Sequence, residues 1–212
     1  SSPASAPTKG HLEAIVDEQP ASATSAYSLA LTGNVNGNMN YTYRNVVSSL
    51  SAGGDRIRVK LQAHATQRCD IDNVAIGYRS GSTGNCTAVP VEILFGGTSG
   101  VVIPAGGTVL SDWVDFPVNT TTQHLVIIDV GSTSVTTTGL KHNFTTADGM
   151  YSTANSNSYN TAAGTTQTLT ADQNLGLTEI EVGVNPTINT DYIAEMSRDG
   201  GTTYSPAVLS RV

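Results

Sequence analysis

Residues 89–130 read VPVEILFGGTSGVVIPAGGTVLSDWVDFPVNTTTQHLVIIDV, and their pattern decides the fold. Val91, Ile93 and Phe95 alternate with Glu92 and Leu94. A short β-branched run follows at Val101, Val102 and Ile103. Pro104, Ala105, Gly106 and Gly107 then make a turn, and Val109 opens the next strand. Residues 125–130 are apolar enough to be covered on both faces. Side chains alternate across a strand with period two, and β-branched residues suit the pleat. Short alternating runs cut by Gly and Pro therefore predict antiparallel strands packed as a sandwich.

Upstream of that stretch, residues 56–65 (RIRVKLQAHA) alternate cleanly: Ile57, Val59, Leu61 and Ala63 are expected in the core, with Arg56, Arg58, Lys60, Gln62 and His64 outside. Ile71, Val74 and Ile76 mark another strand, and residues 79–88 a Gly/Ser loop. Tyr27, Leu29 and Leu31 read as a strand ending at Asn34. Asn36-Gly37 suits the tight turn of a hairpin leading into a strand at 41–47. Downstream, residues 148–170 read as long polar loops around Tyr151 and Tyr159, and 175–184 (LGLTEIEVGV) as one closing strand. Residues 1–26, rich in Ser, Ala and Pro, read as an arm or linker in which only 11–16 (HLEAIV) could order. The strand pattern restarts at 192–197, and Asp199-Gly200 sits at the tip of a hairpin. The expected organisation is an arm at 1–26, a sandwich at 27–184, and at 185–212 a hairpin tail or the start of a further domain. No helix is expected.

Charged residues make up only 13 % of the 212-residue chain, about half the share usual in globular proteins of about 25 %. Ser, Thr, Asn and Gly take their place, a neutral hydrogen-bonding surface of the kind found on secreted and virion-surface β proteins. The net charge is −7, and no block of Lys or Arg offers a phosphate backbone its counter-charge, which argues against nucleic acid as a partner. No apolar run approaches the roughly 20 residues that span a bilayer, so membrane insertion is not expected.

Few residues point to chemistry. Cys69 and Cys86 are the only cysteines; a disulfide between them would close a Gly-rich loop and add about 3 kcal/mol, and the alternative is two thiols. Asp70 and Asp72, at i and i+2, share one strand face, and a hard cation such as calcium would be their ligand; two solvated aspartates are the simpler reading. Trp113, the only Trp, would stack on a sugar if exposed, or fill a core or interface otherwise, and its strand alternation with Val114 and Phe116 favours the latter. Tyr78, Tyr151 and Tyr159 are the loop aromatics that could contact a ligand or a neighbour. Asp112 and Asp115 are expected on opposite faces, too divergent for paired acid–base work. His64 and His124, on or beside strands, are expected to be surface or satisfied residues. Asn40, Asn85, Asn119 and Asn143 head N-x-[ST] triplets, which arise easily in a Thr-rich chain. No cofactor is expected.

Two family resemblances rest on these motifs. Residues 95–118 (FGGTSGVVIPAGGTVLSDWVDFPV) resemble part of the jelly-roll accessory domain that accompanies some SGNH/GDSL-type esterases, and RIRVKLQ at 56–62 with IDNVAIG at 71–77 is similar to its preceding strands. Residues 197–209 (SRDGGTTYSPAVL) resemble the SRDGGTTW-type hairpin of tail and fibre-associated proteins of tailed bacteriophages, where IDNVAIGYRSG (71–81) and SDWVDF (111–116) have counterparts too. The esterase catalytic blocks are missing: Gly54-Asp55 is followed by Arg56 rather than Ser, and no D-x-x-H occurs. The resemblances imply a jelly-roll-like sandwich and no enzyme. The role they imply is a virion or extracellular module that partners copies of itself and other virion proteins, and that can touch host-surface glycan. The alternative is a carbohydrate-binding accessory module of a secreted hydrolase.

Overall fold

A computed structural model describes residues 20–36, 40–131, 139–143, 148–154, 158–163, 168–170 and 173–185. Strands β1 to β15 run Ser22–Ser28, Gly33–Asn36, Tyr41–Val47, Gly54–Gln62, Cys69–Tyr78, Val91–Ile93, Val101–Ile103, Thr108–Leu110, Val114–Val118, His124–Val130, Gly139–Asn143, Met150–Ala154, Thr168–Thr170, Asn174–Leu175 and Leu177–Val184. Every pairing is antiparallel and the described residues hold no helix, so the protein is an all-β, antiparallel sandwich.

One sheet has the order β1-β15-β4, with β8 and β9 both pairing β4. The second has the order β13-β12-β3-β10-β5, with β6 and β7 side by side along β5. Ile57, Val59, Leu61, Ile180 and Val182 from the first face Tyr43, Val47, Ile71, Val74, Ile76, Val126 and Ile128 from the second in one buried cluster. A small third sheet, β14-β11-β2, closes one end: the Ala63–Leu140 bridge ties it beyond β4, and the His64 N–H donates to Gly139 O at 2.9 Å.

The alternation expected along 56–63 holds for the core: Ile57, Val59, Leu61 and Ala63 are fully buried. On the opposite face Arg58 pairs with Glu181 at 2.6 Å and Lys60 with Glu179 at 3.3 Å across the strands. Arg56 departs from the pattern, being buried against Asp115 at 2.9 Å. All seven residues of β10 are buried, because this central strand is covered on both faces.

Four local expectations are corrected. The arm expected at 1–26 gives way before its end, because Ser22–Ser28 pairs with β15. Small polar residues signal little, but an edge strand is held by its backbone and needs few apolar side chains. Asn36-Gly37 does not join a hairpin, since β2 pairs β11 whereas β3 pairs β10 and β12. The closing strand at 175–184 is broken at Gly176, whose φ of +71° turns the chain between sheets and is open to glycine with little strain. Tyr151 stands in β12 rather than in a loop. Residues 1–19 and the tail hairpin at 192–208 lie outside the described residues.

Candidate functional site

Two polar places stand out on the sandwich. The first is the outer face of the seven-stranded sheet. There Val46, Ala75, Leu125, Ile127 and Tyr151 form a second apolar cluster with Cys86, against which Tyr159 packs. The Gly/Ser loop after β5 and residues 158–163 fold over this face, and Arg44 fastens both. Arg44 is 2 % exposed; its guanidinium donates to the carbonyls of Gly84 (3.0 Å), Ser158 (2.7 Å) and Thr161 (3.0 Å). The planar fork of Arg suits three divergent acceptors in a way that a Lys ammonium does not. Arg79 works alongside it, donating to Thr83 O (2.8 Å), Gln123 Oε1 (2.7 Å) and Tyr151 Oη (2.8 Å), while Tyr151 donates to Ser82 O at 2.7 Å.

Asp129 lies buried on the same face. Its carboxylate accepts from the Thr42 hydroxyl and from the Tyr159 backbone N–H. Burial pushes its pKa up to about 6 from 3.8, against the opposing pull of Thr42, Tyr159 and Arg44. Burial also raises the Tyr159 hydroxyl, with the charges of Glu92 and Asp129 adding to the effect. In the other direction, burial lowers Arg44, in part offset by Cys86 and Asp129. The chemistry of this face is that of a fastening: each guanidinium is committed to internal acceptors.

The second place is a corner of the five-stranded sheet. Trp113, between β8 and β9, is half-buried. The Arg58 guanidinium lies 4.6 Å from its ring centroid, and its benzo edge rests on Gly183, where a Cβ would come within 3.1 Å of the ring and 2.6 Å of Pro20. Pro20 and Asn185 stand next to each other here, because the Ala21 N–H donates to Val184 O at 2.9 Å.

The structure scatters the residues singled out from sequence. Tyr151, Tyr159 and Cys86 meet in the second cluster, where Tyr151 is buried to 7 % exposure with its hydroxyl donating to Ser82 O, and Tyr78 meets His124. Tyr78 packs on the main core and donates to Pro117 O. Asp70 pairs with Arg68 at 3.0 Å, Asp72 is exposed, and the described residues hold no group of three acidic, His or Cys side chains fit for a metal. Asp112 accepts from the backbone N–H groups of Gly96 (3.0 Å) and Gly97 (2.7 Å), closing a turn, while Asp115 serves Arg56.

The disulfide is not formed: Cys69 and Cys86 are both buried thiols. Cys86 sits against Gly77, where a Cβ would meet its Sγ at 2.8 Å. Cys69 and Gly77 are eight residues apart along β5 (77 − 69), about 26 Å at about 3.3 Å per residue. A disulfide needs Cα atoms within about 7 Å. His124 is corrected as well: it is fully buried, and neither ring nitrogen has a hydrogen-bond partner. Sequence reading missed Arg44, Asn45 and Asp129. Asp129 is a lone charge at the end of the apolar run 125–130, and that contrast was the available signal; Arg44 and Asn45 stand side by side in a mixed strand (YTYRNVV) that offered none.

No protein-family model matches the chain, and no curated protein matches it.

Proposed function

We propose that this protein is a non-enzymatic structural or adhesive module of a tailed-phage virion, a tail, fibre or decoration protein whose jelly-roll-like sandwich works by subunit assembly. The observation that carries this reading is the shared corner at Pro20 and Asn185, tied by the Ala21–Val184 bond and flanked by Trp113. The described chain enters at Pro20 and leaves at Asn185 beside each other, which supports engagement of both flanking sequences by one neighbouring subunit. The motif resemblance at 71–81, 111–116 and 197–209 supports the setting, as does the weakly charged exterior. Partners are then copies of the chain and other virion proteins, with host glycan a secondary contact. The carbohydrate-module alternative leans on Trp113, and the Arg58 guanidinium stacked on that ring favours assembly instead. Solution mass decides the matter. Assembly predicts a defined oligomer for the full chain that dissociates when residues 1–19 are deleted; a monomer in both cases overturns the reading.

A further inference from the structure

Three rings meet where the two main sheets close on each other. Tyr78 ends β5, His124 begins β10 and Phe116 stands on β9 of the opposite sheet. Centroids lie 5.0 Å apart for Tyr78–Phe116, 5.2 Å for Tyr78–His124 and 6.0 Å for Phe116–His124. The Tyr78 hydroxyl donates to Pro117 O, so the cluster is also hydrogen-bonded between sheets. His124 is 0 % exposed, and both its ring nitrogens lack a hydrogen-bond partner. A neutral imidazole has one donor and one acceptor to offer, and this site uses neither.

The charged groups of the surrounding elements point elsewhere. On β10, Asp129 occupies the opposite face with Thr42. On β3, Val47 stands beside the ring, and Arg44 is bonded to the covering loops. Beyond β5, Arg79 turns to Gln123 and Tyr151. On β9, Asp115 is paired with Arg56, whose strand β4 it adjoins.

We propose that His124 is an acid-operated latch: a second proton on its ring parts the Tyr78–Phe116 seam and loosens β9 from the seven-stranded sheet. The imidazolium would hold two N–H donors with no acceptor among the described neighbours. The aromatic faces of Tyr78 and Phe116 attract a cation, but they do not replace the hydration it loses. Opening the seam gives the cation water.

The sign of the pH effect follows from that burial, which holds the His124 pKa at about 4, below the ordinary 6.5. The opened state therefore binds the proton first, so the closed state loses ground as pH falls below about 6.5, and the loss is complete below about 4. The ratio of open to closed shifts by about 300-fold in total, ten raised to the difference between 6.5 and 4, and by about 150-fold at pH 4.

The test is urea unfolding of the full chain at pH 7 and pH 4, for the native sequence and His124→Phe. Between pH 7 and pH 4 the native unfolding constant should rise about 120-fold more than that of the variant; Asp129 is present in both and cancels. Amide exchange on the native protein needs no variant. Protection at Val114–Val118 should fall at pH 4 before protection in β4 does. Equal pH dependence in both proteins overturns the latch, and so does a ring titration in which His124 of the folded protein gains its proton near the ordinary value. If His124→Phe does not fold, amide exchange and the ring titration decide the question on the native chain alone.

Discussion

The side chain of Asn45 replaces a missing strand for Leu175. Its Nδ2 donates to Leu175 O at 2.8 Å, and its Oδ1 accepts from the Leu175 N–H at 2.9 Å. Both residues are buried, so one amide completes the ladder between β3 of the large sheet and β14 of the small one. The primary amide is the one short side chain that offers a donor and an acceptor in peptide-like geometry.

Asn45→Ala should therefore cost about 3 kcal/mol, since it leaves a buried N–H and a buried C=O without partners at about 1–3 kcal/mol each. Asn45→Asp should cost more at neutral pH, because a carboxylate cannot donate to Leu175 O. Urea midpoints should fall in both variants while the slope is unchanged.

Arg44→Met should release the two coverings of the outer face. Three carbonyls lose their donor and Asp129 loses its nearby positive charge, a loss of about 3–5 kcal/mol by analogy with broken buried pairs. Limited proteolysis should reveal new cleavage just after Arg79. Cleavage at the native rate there would mean that Arg44 does not hold the loop.

Both thiols should be silent in the folded state. Titration with a thiol reagent should find no rapid reaction in native buffer and two equivalents in denaturant, because Cys69 and Cys86 are buried. Reductant should leave the unfolding midpoint where it is. Gly77→Ala should destabilise the protein, because its Cβ would lie 2.8 Å from Cys86 Sγ inside a packed cluster.

Asp129 gives a pH dependence opposite to that of His124. Its folded pKa of about 6 lies above the ordinary 3.8, so the folded state binds the proton first on acidification. Stability contributed by this group therefore rises as pH falls from about 6 to about 4, by about 3 kcal/mol at about 1.36 kcal/mol per pKa unit. Asp129→Asn in a His124→Phe background should flatten the stability profile across that range. A profile that still climbs would assign the effect to another group.

Strands with a covered face were legible, and those without one were not. Ile57, Val59 and Leu61 announced their strand by alternation, and 124–130 announced a doubly covered one by continuous apolarity. β1 was hidden because Ser22, Ala23, Thr24 and Ser25 are exposed and contribute through the backbone. β2 was hidden behind Asn36-Gly37, whose turn propensity is local, whereas its partner β11 is about a hundred residues away. Of the residues expected at a site, Trp113 was expected to fill a core or an interface; it is half-buried, and its indole N–H is buried without a hydrogen-bond partner among the described residues. Tyr151 was expected in a loop, because nothing local records that two loops cover its strand.

Sequence by itself determined the class of fold. Period-two alternation, β-branched residues and Gly/Pro punctuation are properties of short windows, and the low share of charged residues, 13 %, is read from composition alone. Tertiary structure decided which strands pair, and so where the lone polar residues fall. Arg44, Asn45, His124 and Asp129 lie on only two strands, β3 and β10, yet each meets partners far along the chain: Ser158, Leu175, Tyr78 or Thr42. Hydrogen bonds and desolvation depend on what covers a residue in space, and no window of sequence contains that.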